Sequence, residues 1–279
     1  MTDYRVASFI LEPVTPLHIG SGRAGMVAKS HSFIPAHLFG YALAAQRGRQ
    51  AGGQPKHFQD ALKEVDAAAR FAPAFILNDQ NRIEDWRKHP ERYLMGQHHV
   101  SLHLDSRSAA DSALFETESL SPRHLAGPRQ GQPLRLGGMV WLQDSQFAGR
   151  DWSDWLNALR LGGELKGGQG HVRLVDWQMN RPDFHGWGRV DAKGLHLAPQ
   201  QRLWGAALGE LADISDAPLR PWLGRTYDFK QGSGGFGRHL ADVVLVRLHG
   251  RHVGQGEGVF LPARREGSRW GCWEAAPLR

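Results

Sequence analysis

Hydrophobic positions recur along this chain with two different periods, and the switches between them lay out its elements. Tyr4 to Glu12 has apolar residues on both faces around Val6, Phe9 and Ile10, which predicts a central strand. From Phe33 to Ala45 the period becomes helical. Pro35 suits a first turn, and Leu38, Tyr41, Ala42 and Ala45 share one face, predicting a helix packed on a sheet. Gln46 to Gln59 reads as loop, Ala61 to Arg70 as a short polar helix, and Arg70 to Leu77 as strand. Asn78 to Gly96 is polar and irregular. His98 to Leu104 then alternates, with Val100, Leu102 and Leu104 opposite His99, Ser101 and His103. Ala113 to Leu120 resumes a strand. Leu134, Leu136, Val140 and Leu142 form a further alternating face, with Arg135 and Trp141 opposite. Trp152 to Arg160 is helix-like, and Val172, Leu174 and Asp176 alternate with Arg173, Val175 and Trp177.

Read coarsely to residue 177, the order is β-α-β-β-α-β with an insertion, an α+β arrangement of the ferredoxin-like kind. Such a sheet has one face under helices and one face free. His, Arg and Trp side chains on the free face would make a platform for single-stranded RNA. After Asn180-Arg-Pro-Asp183 the composition loosens, which predicts a boundary between a first domain, 1–180, and a second, 181–279. The second is expected to be smaller and β-rich, or a degenerate copy of the first. It has a short helix predicted over Leu203 to Leu211 and strands over Ala241 to His249 and Val259 to Pro262.

Composition narrows the chemistry. The 279 residues carry a net charge of +6, which favours a polyanionic partner. The single cysteine, Cys272, excludes an intrachain disulfide framework and cysteine-rich zinc sites, and fits a reducing cytoplasm. The N-terminus lacks signal-peptide features and no run is long enough to span a bilayer, so a soluble cytoplasmic protein without a membrane partner is expected. Five glycines crowd into Gly162 to Gly170, with Lys166, His171 and Arg173 beside them. Glycines admit positive φ and close backbone approach, and exposed N–H groups flanked by cations suit phosphates. A plain connecting turn is the bland alternative. A second glycine loop, Leu17 to Gly25, lies in a window from Pro13 to Gln59 that holds no acidic residue. That window contains Arg23, Lys29 and the histidines His18, His31 and His37. A third cluster, Gly232 to Gly237, precedes Arg238. His98, His99 and His103 lack partners placed to complete a metal site, so no metal is expected. Without a Gly-Lys-Ser/Thr ending, the main glycine loop predicts no ATP and no other cofactor.

Four segments together resemble one family, the RAMP superfamily of RRM-like subunits of CRISPR–Cas effector complexes. They are Leu11-Glu-Pro-Val-Thr-Pro-Leu-His-Ile-Gly-Ser-Gly22, the Ile34-Pro35 helix start, His99-Val-Ser-Leu-His-Leu-Asp-Ser-Arg107 with Leu114-Phe115 and Glu118, and the glycine loop at 161–170. In members that cut target RNA, an aspartate lies in the loop after the first strand, whereas Gly20 to Ser32 here contains no carboxylate. The resemblance therefore implies a non-catalytic crRNA binder of a type III-like complex, most similar to the subunit that caps the crRNA 5′ handle. Its implied partners are crRNA, the large and backbone subunits and, indirectly, the target nucleic acid. The RNA-binding residues expected are His18, Gly20, Ser21, Gly22, Arg23, Lys29, His31, Arg135, Lys166, Gly167, Gly168, Gln169, Gly170, His171, Arg173 and Arg238. A second reading is a metal-independent endoribonuclease that processes repeat RNA. It would use His18, His31 or His37 as general acid or base and Lys29 to stabilise charge on phosphorus. A third is a protein-only adaptor, suggested by the many tryptophans.

Overall fold

The computed structural model describes residues 4–100, 105, 114–226, 239–265 and 269–276, with 223–226 and 239–242 as backbone only. The fold is mixed α/β, rich in strands and poor in helices. Its first half contains β1 (Arg5–Pro13), β2 (Gly20–Ala24), β3 (Val27–Ser30), α1 (Ala36–Gln50), α2 (Pro55–Ala68), β4 (Ala69–Phe71), β5 (Phe75–Ile76), β6 (Leu94–His99), β7 (Phe115–Leu120) and β8 (Leu136–Leu142). A small hairpin, β9 (Gln146–Phe147) and β10 (Arg150–Asp151), leads into α3 (Trp152–Asn157) and β11 (Val172–Met179).

One sheet runs in the order β11-β1-β8-β4, with β5 also on β8, and every pairing in it is antiparallel. Phe9 and Phe71 of this sheet meet Phe39 of α1 at 5.3 Å each, the first edge-on and the second stacked with Phe39. This contact corrects the predicted helix face. The side of α1 that reaches the sheet carries Ala36, Phe39, Leu43 and Ala44, all buried. Leu38, Tyr41, Ala42 and Ala45 lie on another side and stay partly exposed. The helix also continues to Gln50 through residues expected as loop, and α2 starts at Pro55, where the ring occupies a first-turn position that needs no N–H.

The free sheet face is also corrected. Strands β1 and β8 are buried on both sides, Arg5 excepted. Trp141, expected on an open platform, is fully buried. Its indole N–H donates to Asp191 O at 2.8 Å, and its ring stands edge-on to Trp273 at 6.3 Å. His185 closes the same face over Gly137, where even a Cβ would come within 2.7 Å of its ring.

The covering layer is a second sheet. It runs in the order β12 (Arg189–Asp191), β13 (Gly194–Leu197), β19 (Gly258–Pro262), β20 (Trp273–Ala275), β14 (Ala206–Leu208), β17 (His239–Leu248) and β16 (Leu219–Thr226). The short strands β15 (Ile214–Ser215) and β18 (Arg251–His252) pair beside it. β14 occupies the stretch where a helix is predicted. Ala206, Ala207 and Leu208 are all buried and pair with β17 and β20, so tertiary pairing overrides a weak helical pattern. One continuous apolar core runs from Val6 to Trp273, joining the two sheets.

A third sheet, β2-β3-β7-β6, stands beside the first. The segment expected as a glycine loop after β1 is thus largely a hairpin, β2/β3, and β3 pairs with β7 in parallel. The strand expected over His98 to Leu104 begins earlier, at Leu94, and is described as far as His99. Val100, expected in that strand, follows it and is exposed; His103, the rest of that alternation and the Asp-Ser-Arg segment, apart from Asp105, lie outside the described residues. So do the third glycine cluster and Arg238.

Candidate nucleic-acid interface

Two glycine-bearing segments, more than a hundred residues apart in sequence, meet in space. Gly163 N–H donates to His18 O at 2.7 Å, and Gly170 N–H donates to Pro16 O at 2.9 Å. Leu161 N–H closes the base of the loop on Gly170 O at 2.8 Å. This arrangement divides the glycines. Gly162 and Gly170 have φ of +86° and +89°, and a Cβ on them would fall 2.3 Å from His18 O and 2.6 Å from Leu161 O. These two accommodate the protein's own backbone. Gly167 and Gly168 have nothing within 4 Å of the Cβ position, and the turn from Glu164 to Gly168 is exposed throughout. Lys166 projects from that turn, and among the described residues it has no ion-pair partner.

Beneath the turn lies a cavity of about 510 Å3, lined by Thr15, Pro16, Gln97, His98, His99, Glu164, Gly167, Gly168 and Gln169. Gln169 is buried. Its amide oxygen accepts from Ser119 Oγ at 3.2 Å, and its amide nitrogen donates to Gln97 Oε1. His99 stacks on Phe115 at 4.8 Å with an 11° interplanar angle. The cavity therefore offers amide groups, imidazoles and open backbone, but also one carboxylate, Glu164.

The other predicted residues distribute as follows. Gly20, Ser21, Gly22 and Arg23 are exposed on β2, and Ser21 sits at a bulge where the register slips between Gly20 and Gly22. His18 Nδ1 lies 2.7 Å from Glu118 O. A carbonyl only accepts, so Nδ1 carries a proton, and in the neutral ring Nε2 is then the nitrogen with the lone pair. His171 is exposed at the end of the loop, where its backbone N–H donates to Thr15 Oγ1 at 3.0 Å.

Three predicted phosphate-binding cations already have carboxylate partners. Lys29 Nζ lies 3.0 Å from Glu118 Oε2, while Glu118 Oε1 accepts the Ser30 N–H at 3.0 Å. Buried Glu12 holds both Arg135, at 3.2 Å, and Arg173, at 2.7 Å. The acid-free window in sequence is not acid-free in space. Glu118 arrives from β7, and Glu12 lies one residue before the window opens. No run of residues along the chain signals either pairing.

His31 stands apart from the loops. It lies beside Phe33 at 5.1 Å and Trp222 at 5.7 Å, and burial holds its pKa down at about 4. His37 lies 5.9 Å from Trp222 and is lowered to about 4 by burial and by His31. His249 completes this seam between the sheets. Its ring sits 5.2 Å from Phe33 and 5.6 Å from Trp204, its Nδ1 accepts Gly205 N–H at 3.0 Å, and burial lowers it to about 3. Sequence reading misses His249 as part of this group, because only the packing of one sheet on the other brings it there. Among the described residues no cluster of His, Cys, Asp and Glu is arranged to hold a metal, and no helix is long and apolar enough to cross a membrane.

No family model matches the chain, and no curated protein matches it. Among solved structures, one similar chain comes from the cryo-EM structure of the Type III-B Cmr-beta bound to cognate target RNA. It has 12% identity and a TM-score of 0.44, over 62% of this chain and 96% of that one. A second comes from the Type III-B Cmr-beta bound to cognate target RNA and AMPPnP, at 11% identity and TM-score 0.48, over 88% and 84%. A third, from the apo state of that complex, aligns at 11% identity and TM-score 0.42, over 61% and 96%.

Proposed function

We propose that this chain is a non-catalytic RNA-binding subunit of a type III-like CRISPR effector ribonucleoprotein, holding crRNA at its 5′ handle. The observation that carries the reading is the exposed turn Glu164–Gly168. Its two open glycines and Lys166 project beside a cavity of amides and imidazoles, where a phosphate backbone can approach without meeting a Cβ. The first sheet supports a ferredoxin-like RAMP domain over 1–180. Counting β1, β4, β8 and β11 as its four core strands, the spatial order is fourth, first, third, second, with α1 and α3 in the two crossovers. Residues 181–279 form the second, β-rich domain in this reading. In this reading the remaining surface serves neighbouring subunits.

The test is titration of the purified chain with single-stranded repeat RNA at rising salt. Expected is an affinity that falls linearly in log–log form, since each neutralised phosphate releases counterions. Absence of any RNA affinity would leave only the protein-only adaptor.

One observation keeps a second reading in play: the Glu118 carbonyl fixes a proton on His18 Nδ1, so in the neutral ring Nε2 is the basic nitrogen, and it faces Gly20, a geometry fit for a general base. His31 and His37 do not share it, being enclosed in the aromatic seam. Cleavage of repeat RNA without divalent metal, abolished by His18→Ala, would replace the binding role with an endoribonuclease.

A further inference from the structure

The apolar side of α1 that does not reach the sheet forms a groove. Leu38, Tyr41 and Ala42 of α1, Phe58 and Leu62 of α2, and Leu165 of the glycine turn floor a cavity of about 1100 Å3. Its rim carries Arg49, Lys63, Arg160 and Arg265, and among the described residues no carboxylate lines it. Arg49, Lys63 and Arg160 are exposed and have no ion-pair partner among the described residues. An apolar floor inside a ring of cations is complementary to one kind of surface, a ridge of apolar side chains flanked by carboxylates. The volume lies at the upper limit of small-molecule sites, which run to roughly 1,000 Å3. α1, at 15 residues, offers a track of about 22 Å, some four turns of a partner helix. Phosphates of an RNA could reach the rim, but apart from the Tyr41 hydroxyl and the Gln59 amide the lining between the cations is apolar and offers little to meet base edges.

We infer that this groove docks an amphipathic, acidic helix of a partner protein, laid along α1 in the helix-in-groove manner. The inference does not depend on RNA binding at the far side of the glycine turn. Leu165 faces the groove while Gly167 and Gly168 face the other cavity, so one short turn separates the two sites.

The full chain would be titrated with a labelled synthetic helix of about 18 residues, carrying leucines at i, i+3, i+4 and i+7 and glutamates on the flanks. A control helix carries lysines in place of the glutamates. Expected is binding of the acidic helix, with the basic helix at least about tenfold weaker. Ala42→Trp, which fills the floor, should abolish binding and leave single-stranded RNA affinity unchanged. The double reversal Lys63→Glu with Arg160→Glu should weaken the acidic helix roughly three- to tenfold, as two exposed charge contacts would. It also carries the test should Ala42→Trp fail to fold. No binding tighter than about 1 mM, equal binding of both helices, insensitivity of the folded variants, or displacement of the helix by RNA would each overturn the assignment.

Discussion

The glycine turn and the histidine seam are both built from residues that composition marks as chemically suggestive, and they use them in opposite ways. In the turn, part of the glycine set meets the protein's own backbone while Gly167 and Gly168 face open space. In the seam, His31, His37 and His249 are uncharged spacers among Phe33, Trp86, Trp204 and Trp222. Residue type alone therefore does not separate a site from a scaffold. What separates them is whether the surrounding space is already filled.

The sharpest way to break this distinction is to add a methyl group at each kind of glycine. Gly162→Ala forces a side chain into the left-handed region and against His18 O, a contact that cannot rotate away. Strain of about 1–3 kcal/mol and an overlap of similar size should cost roughly 2–6 kcal/mol. Gly167→Ala has neither problem and should change stability by less than about 0.5 kcal/mol, while weakening RNA binding if the turn is a cradle. Thermal unfolding of the two variants checks the first contrast, and RNA titration the second. Similar melting losses at both positions would mean that Gly167 too serves packing.

The seam predicts acid sensitivity. Each histidine there holds its proton less tightly folded than unfolded, at about 4 for His31 and His37 against the usual 6.5. Between those values the unfolded chain binds more protons, so stability rises with pH and is lost as pH falls from about 6.5 towards 4. The slope per histidine is at most about 1.4 kcal/mol per pH unit. Urea unfolding across this range should show the loss, and His31→Phe should flatten it. An unchanged slope in a folded variant would show that His31 is solvated.

Glu12 lies in neither region but combines their two behaviours, since it is buried in strand β1 and restrains cations assigned to the surface. Glu12→Gln should destabilise by about 1–3 kcal/mol, since a buried polar network loses its charge. It should also release Arg135 and Arg173, both half-exposed or more, and raise RNA affinity. Opposite signs in the two measurements are the point of the variant. A fall in RNA affinity would instead make the pair a positioning device.

Much of the first sheet is legible in the sequence, because alternation and glycine punctuation are local. Its strands over residues near 5–13, 136–142 and 172–179, and β7 of the third sheet over 115–120, follow from their own side chains. The face of α1 is not legible. Leu38, Tyr41 and Ala42 form as convincing a stripe as Phe39 and Leu43, and only the position of Phe9 and Phe71 decides which side is covered. The covering of Trp141 by Trp273 joins residues 132 positions apart, so nothing near either one announces it. The turn at 164–168 is legible as a candidate from its glycines and lysine. Its neighbour Gln97 is not, since it arrives from β6.

The smallest effect belongs to Lys166. Among the predicted phosphate-binding cations near the turn it is exposed, and it has no acidic partner in the described residues, unlike Lys29, Arg135 and Arg173. A cation already facing a carboxylate gives up one interaction to make another, so its removal changes affinity little. A cation facing only water exchanges a solvated charge for a phosphate contact and releases counterions. Lys166→Ala should therefore leave unfolding within about 0.5 kcal/mol. It should weaken RNA binding about two- to fivefold at low salt and reduce the salt slope by about 0.7, one single-strand phosphate's share. Lys29→Ala should reduce that slope by less. Equal slopes for the two variants would mean that Glu118 swings away when RNA arrives, and that the difference between paired and unpaired cations exists only without the ligand.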